Sequence, residues 1–360
     1  MKAPETLKVM VVAAGSGGHV FPAVGFCQEL KAAYGNPKDI TFVTTQTESR
    51  NRDVPEEFRT IRLKINRSLA GAVKCVVCAF SLIGRIHPDV IFGFGGYMTV
   101  PFIVLGSLFG KKTLIHEQNV VPGRANRFFG FFAKKIVISF EKTRVFFKND
   151  KKVFLARYPL RASLKRVDKD AALDFFGFQR DLLTLLVMGG SQGARRINEF
   201  FLAALKEGSY GDKLQVIHLC GQQDLDATQK AYQVCAVRHK SYAFLNEMRY
   251  AYSAADFVIA RSGAGSLFEI MSFGLPSILI PYPYAGAHQV ANAKFLAEKG
   301  AAILLEDAKM SVSLMRGLLD IMVEDAMRRK TMGALSASLY ASSENLTLKD
   351  LVACERGRSS

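Results

Sequence analysis

The chain has 360 residues, 49% hydrophobic and 22% charged, the balance of a soluble globular protein with two domains or one large one. A chain of this size buries enough surface to fold without disulfide staples. The six cysteines contain one close pair, CVVC at Cys75, with no second Cys or His pair for zinc, so they read as reduced packing residues. The formal net charge of +16 favours an anionic partner, whether a phosphorylated substrate, an anionic membrane or nucleic acid.

In chain order, the apolar run Lys8–Ala13 leads through AAGSGGHVFPAVGF into a predicted helix over Val20–Leu30. The run is too short, and too soon broken by glycine, to be a signal peptide. A Gly-rich turn between a strand and a helix lets backbone N–H groups approach a phosphate. Gly15 and Gly17 begin a dinucleotide fingerprint, but Val20 stands where its third glycine belongs. For an acidic ribose ligand TFVTTQTESR offers Glu48 only after several polar residues, which weakens a nicotinamide reading. His19 is the one titratable group of the loop. Taken alone it reads as a helix-terminal histidine bonded to nearby backbone; its ordinary pKa would also let it take a proton near neutrality.

Further strands are predicted at Ile40–Thr44, Asp89–Phe94, Lys112–His116, Lys135–Ser139 and Val153–Leu155. Leu69, Val73, Val76, Val77, Phe80 and Ile83 recur at helical spacing beside Lys74 and Arg85, and RFFGFFAKK (Arg127–Lys135) adds a second apolar, basic patch. Each reads either as a core face or as a surface for an anionic bilayer. Val90–Gly110 carries no charge, but glycines and Pro101 break it into a strand, a turn and a helix rather than a membrane span.

The polar, basic stretch Tyr158–Asp170 separates the halves. Strands follow at Leu182–Val187, Leu214–Leu219, Tyr242–Leu245, Phe257–Ala260, Ser277–Ile280 and Ala301–Leu305. The first leads into a second Gly-rich turn, MGGSQGARRIN. In RSGAGSLFEI a third turn precedes a helix carrying Glu269, which could accept hydrogen bonds from a ribose diol while the turn holds a diphosphate. The bland alternative is a cap at Ser262 or Ser266 with Glu269 solvated. The DLD at Asp224–Asp226 matches a metal motif only formally, and no metal is expected. Apolar strands alternating with helices imply an α/β fold of two doubly wound parallel sheets, with ligands at the strand C-termini in the groove between the halves.

AGSGGHVFPA, FGGYMTVP, HEQNVVPGRANR, GGSQGARRIN, ADFVIARSGAGSLFEI and GLPSILIPYPYAGAHQVANA stand in the order and spacing of the MurG family, over roughly residues 7 to 310. The resemblance implies a GT-B glycosyltransferase of two Rossmann-like domains. Residues 1–160 would face the acceptor and the membrane, 161–340 would bind the donor, and a helix over about 341–360 would pack back on the first. It implies inverting transfer of N-acetylglucosamine from UDP-GlcNAc to the 4-hydroxyl of undecaprenyl-diphosphate-linked N-acetylmuramyl-pentapeptide, without cofactor, at the cytoplasmic face of the bacterial inner membrane. On the donor side it implies Ser191 and Gln192 at the phosphates or sugar, Phe244 and Leu245 at the uracil, Ala264, Gly265 and Ser266 at the diphosphate, and Glu269 at the ribose. His288, Gln289 and Asn292 would reach the sugar hydroxyls, with Arg161 near the nucleotide. On the acceptor side it implies Ser16, Gly17, Gly18 and Asn119, with His19 as the base and Glu117 and His116 as weaker candidates.

Ala14 and Ser16 stand where the family commonly has Gly and Thr, Tyr158 where Asn is usual, and Gly265 and Ser266 where a bulkier residue and Thr are common. The alternative function is another UDP-sugar enzyme of this fold, a soluble glycosyltransferase or a UDP-sugar 2-epimerase. No nucleic-acid recognition motif accompanies the basic charge.

Overall fold

In a computed structural model of the protein, β1 (Val9–Val12) is buried along its whole length. The structure describes residues 7–14, 17–35, 39–46, 54–66, 68–189, 194–283, 288–342 and 346–353. After β1 come α1 (Gly17–Tyr34), β2 (Ile40–Thr45), β3 (Arg59–Leu63), α2 (Leu69–Ile86), β4 (Val90–Gly93) and α3 (Thr99–Leu108). Then follow β5 (Lys112–Glu117), α4 (Arg124–Phe129), β6 (Lys135–Ile138) and β7 (Val153–Leu155). Strand side chains alternate between the faces of a sheet. Val9 and Val11 accordingly pack with Val24 and Phe26 of α1. Met10 and Val12 pack with Cys75, Ala79 and Ile83 of α2 and with Phe102 of α3. Burial on both faces is why the central strands read as unbroken apolar runs.

The seven-stranded sheet has the order β3-β2-β1-β4-β5-β6-β7, and every recorded pairing is parallel. The winding direction reverses between β1 and β4. At such a switch point the loops leaving the two strands diverge and open a crevice at the strand C-termini. Here those loops are the segments that follow Val12 and Gly93.

The second unit, residues 163–342, repeats the plan. Its elements are α5 (Lys169–Phe176), β8 (Leu183–Met188), α6 (Arg195–Glu207), β9 (Leu214–Leu219), α7 (Leu225–Tyr232) and β10 (Arg238–Tyr242). Next come α8 (Met248–Ala254), β11 (Phe257–Ala260), α9 (Ala264–Ser272), β12 (Ser277–Leu279), α10 (His288–Glu298) and β13 (Ala302–Leu304). The unit ends with α11 (Val312–Glu324) and α12 (Ala326–Ala341). The six-stranded order β10-β9-β8-β11-β12-β13 places its switch point between β8 and β11. Residues 343–360 belong to the first unit, where Leu348, Leu351 and Val352 of α13 (Leu348–Ala353) join the α1 side of its core.

Two sequence expectations need correction. β3 was not anticipated, and the strand expected at Tyr242–Leu245 lies upstream, at Arg238–Tyr242. Both are edge strands with mostly polar side chains that are half-buried or exposed, RTIRL and RHKSY. At these two edges less surface is buried and charge guards against unwanted pairing, so neither strand carries an apolar run.

Candidate functional site

In the first unit the switch-point loops meet around His19. Its Nδ1 lies 3.0 Å from the Ala14 carbonyl, the local backbone bond expected of a helix-terminal histidine. A carbonyl only accepts, so in the neutral ring Nδ1 carries the hydrogen and Nε2 the basic lone pair. The turn after β4 lies against the ring. Gly95 and Gly96 have φ of +99° and +85°, and a Cβ on Gly95 would stand 2.9 Å from His19 Cδ2 and 3.0 Å from Nε2. On Gly96 it would stand 2.8 Å from the Ala14 carbonyl oxygen. Only glycine meets both the left-handed backbone and the close approach.

Gly17 and Gly18 open α1. A Cβ on Gly17 would press on the Phe21 ring at 3.0 Å. Arg161 stacks its guanidinium over that same ring, 4.1 Å from the centroid, so it is ordered by α1 of the first unit. Pro22 inside α1 cannot donate to the Gly18 carbonyl, which leaves that acceptor without its helical partner. Ser16 lies outside the described residues, as do Ser191 and Gln192.

Glu117 ends β5 and is fully buried. Its Oε1 accepts from the backbone and side-chain amides of Asn119, both at 3.0 Å. Its Oε2 accepts from the Gly123 N–H at 3.0 Å and Asn126 Nδ2 at 2.9 Å. All four acceptor directions of the carboxylate are used. Glu117 therefore shapes the loop that presents Asn119, and its surroundings do not suit the role of base. His116 is equally buried, with Nε2 2.8 Å from Ser139 Oγ and no hydrogen-bond partner for Nδ1 among the described residues. Burial, and secondarily the charge of His19, lower its pKa to about 3, so it stays neutral.

In the second unit the turn Arg261–Gly263 leads from β11 into α9. Neither serine caps the helix: Gly263 is the N-cap, without a side-chain bond, and Ser262 Oγ donates to the Gln289 carbonyl at 2.8 Å. The N-terminal N–H groups at Ala264, Gly265 and Ser266 are thus left uncapped by any serine hydroxyl, as an anion cradle requires. Glu269, one turn further on, is buried rather than solvated, and its Oε2 accepts from Tyr252 Oη at 2.8 Å.

The start of α10 is fastened to the same turn. Gln289 Oε1 accepts from the Tyr282 N–H at 2.9 Å. Asn292 is completely buried, and its Nδ2 donates to the Ser262 carbonyl at 3.2 Å. Asn292 therefore orients the turn, and the expectation that it reaches a sugar hydroxyl does not fit its burial. His288 stands half-buried at the first position of α10. Beyond β10, Phe244 is exposed and Leu245 buried. Asp224 of the DLD accepts from Asn198 Nδ2 at 2.9 Å and pairs with Arg195 at 3.4 Å, both bonds within the fold.

Sequence reading passed over Tyr252, Arg261, Asn126, Gly95 and Gly96 as site residues. Asn126, Arg261 and the glycine pair lie within HEQNVVPGRANR, ADFVIARSGAGSLFEI and FGGYMTVP; for Arg261 and the glycines a charge or a double glycine at the end of an apolar strand was the available signal.

The Glycosyltransferase family 28 N-terminal domain matches residues 9–138, and the Glycosyltransferase family 28 C-terminal domain matches residues 184–346. The chain is 31% identical over 367 residues to the UDP-N-acetylglucosamine--N-acetylmuramyl-(pentapeptide) pyrophosphoryl-undecaprenol N-acetylglucosamine transferase of Desulforamulus reducens, covering 97% of this chain and 98% of that protein. It is 37% identical over 350 residues to the enzyme of that name from Chlorobaculum parvum, covering 92% and 94%. The crystal structure of Acinetobacter baumannii MurG superposes with a TM-score of 0.76 at 28% identity, covering 98% of this chain and 100% of that one.

Proposed function

We infer the reaction from one premise: the chain belongs to the MurG family, within glycosyltransferase family 28. It is a UDP-GlcNAc-dependent transferase of peptidoglycan synthesis that converts the lipid-linked N-acetylmuramyl-pentapeptide into the lipid-linked disaccharide. The observation that carries this reading is the full-length match to transferases of that one activity. It also separates the chain from the epimerase alternative.

The roles of individual residues are our proposal. In the second unit the α9 N-terminus takes the donor diphosphate, Glu269 takes the ribose, and Phe244 offers an exposed ring to the uracil. As the sugar–phosphate bond breaks, charge grows on the leaving diphosphate, and preorganised N–H groups stabilise it. In the first unit the turns around Gly17, Gly18 and Gly95 receive the acceptor diphosphate, beside Asn119. His19 Nε2 takes the proton of the acceptor 4-hydroxyl as that oxygen attacks the anomeric carbon. Displacement from the far face of the sugar turns the α-linked donor into a β-linked product.

Peripheral docking at the cytoplasmic face of the inner membrane is likewise proposed. Of the described helices, α2 is long and apolar enough to cross a membrane, yet most of it is exposed. Its buried face is Gly71, Cys75, Ala79 and Ile83, whereas Leu69, Val73, Val76, Val77 and Phe80 face outward. The Phe80 and Phe109 rings meet edge to face, with Lys74 and Arg85 also exposed on α2. Phe128 and Phe131 add exposed rings, and Lys152 lies over Phe131. Apolar side chains beside bases suit an anionic interface.

The test is transfer from radiolabelled UDP-GlcNAc to a lipid-linked muramyl-pentapeptide. The expected product is a β-linked disaccharide on the lipid, with one UDP released per transfer. Epimerised donor without transfer would overturn the reading.

A further inference from the structure

Asp307 lies just after β13, at the start of the 3-10 turn Asp307–Lys309, and is buried. Both of its carboxylate oxygens are engaged. Oδ1 accepts from Arg196 Nε at 2.9 Å, and the Asp307 carbonyl accepts from Arg196 Nη2 at 3.1 Å. Oδ2 accepts from Arg261 Nη1 at 2.6 Å. The same Nη1 donates to the Ile280 and Pro281 carbonyls, at 3.2 and 3.1 Å, on the segment that leads toward α10.

The positions of the two arginines give this bridge its meaning. Arg196 is the second residue of α6, the helix that follows β8 in the chain. Arg261 opens the turn that leaves β11. β8 and β11 flank the switch point of this sheet. One carboxylate thus joins the first turn of α6 to the turn that leaves β11, and through Arg261 it also holds the chain running toward Gln289. Two guanidiniums and one carboxylate leave a net positive charge beside the N-termini of α6 and α9.

We propose that Asp307 is a positioning residue for the donor diphosphate, setting the spacing of the α6 N-terminus and the β11–α9 turn without touching the donor. The inference rests on the reading of the second unit as the donor site. A diphosphate bound by N–H groups from two helix N-termini gains affinity only if those ends are already in place. Without the carboxylate the two guanidiniums repel each other, and the α6 and α9 ends lose their common tie. Asp307 is also separated from both partners by long stretches of sequence, so nothing local replaces it.

The test uses the full chain, with UDP affinity measured by calorimetry and steady-state kinetics measured for both substrates. D307N keeps the side-chain shape and removes the charge. R196Q breaks only the tie to α6, and Arg196 is half exposed, so this variant folds even where D307N does not. D320N serves as the control, because it disrupts the 2.5 Å Tyr210–Asp320 bond at the far end of the sheet. D307N and R196Q are expected to raise the UDP Kd and the UDP-GlcNAc KM by about tenfold, the loss of one charged hydrogen bond. In both, kcat at saturating donor and the acceptor KM should change much less, and D320N should lower the melting temperature without moving the donor KM. UDP affinity within twofold of the parent in folded R196Q would overturn the inference, as would an equal loss of affinity in D320N. A parent protein that binds no UDP would overturn the donor-site reading and this inference with it; unchanged variants beside a UDP-binding parent overturn the inference alone.

Discussion

Gly95 lies against the imidazole of His19, so close that a methyl group at Gly95 would stand 2.9 Å from the ring. The contact joins the two loops at the switch point of the first sheet. It also fixes the side of the ring opposite the bond to Ala14, so the histidine is oriented from two directions.

H19A should therefore lower kcat by about 10²–10⁴-fold at saturating donor and acceptor, the range for loss of a general base. G95A adds a Cβ at a left-handed position, at a backbone cost of about 1–2 kcal/mol, and displaces the ring. It should lower kcat while leaving the UDP affinity of the second unit unchanged. A fall of only a few-fold in H19A would remove His19 from the proton transfer.

Y252F should act on the donor alone. Tyr252 Oη donates to Glu269 Oε2 at 2.8 Å, and its loss removes that restraint on the carboxylate that would meet a ribose diol. The UDP-GlcNAc KM should rise about tenfold, equivalent to about 1.4 kcal/mol, with kcat nearly unchanged. E269A should exceed that effect, and a 2′,3′-dideoxy donor should abolish the difference between Y252F and the parent.

Replacing Val73, Val77 and Phe80 together by serine should reduce cosedimentation with anionic vesicles, since each buried methylene contributes about 0.8 kcal/mol to interfacial binding. K74E and R85E should each weaken it by about 1 kcal/mol or more and flatten its dependence on lipid charge. These side chains are exposed, so melting temperature and turnover of a short-chain soluble acceptor should be retained. Full vesicle binding by the triple variant would remove α2 from the docking surface.

The units should differ in acid sensitivity. His218 is buried between Tyr232 Oη at 3.1 Å and Asn198 Oδ1 at 3.0 Å, and burial lowers its pKa to about 3. A histidine with a depressed folded pKa is protonated first in the unfolded chain. Its stabilising contribution is present above about pH 6.5 and declines by about 1.4 kcal/mol per pH unit as pH falls toward 3. His116 does the same in the first unit, but Glu29 opposes it there. Burial raises the Glu29 carboxyl to about 7, so the folded form takes up a proton before the unfolded form and gains stability as pH falls from 7 toward 4.5. Hydrogen exchange on the whole protein at pH 7 and pH 5 should show protection falling in the second unit, by about 2 kcal/mol from His218, and far less in the first. E29Q should stabilise the first unit at pH 7 to 8 and expose the His116 slope.

The sequence by itself determined the two parallel sheets and the glycine-bearing turns after β4 and β11. A strand buried on both faces must be apolar throughout, and a turn that approaches an anion or another backbone must lack side chains. That logic is silent at β3 and β10, whose edge positions leave their side chains polar. It is also silent on direction at α2, where small residues four apart and larger ones beside them form two stripes that both read as apolar. Tertiary structure alone decided that Gly71, Cys75, Ala79 and Ile83 pack inward and Val73, Val77 and Phe80 outward. It alone decided that Glu117 and Asn292 are occupied in holding backbone, and that Asp307 joins Arg196 and Arg261 across 111 and 46 residues. Hydrogen-bond partners so far apart in sequence leave no periodic trace, because their pairing is set by which strand ends the fold brings together.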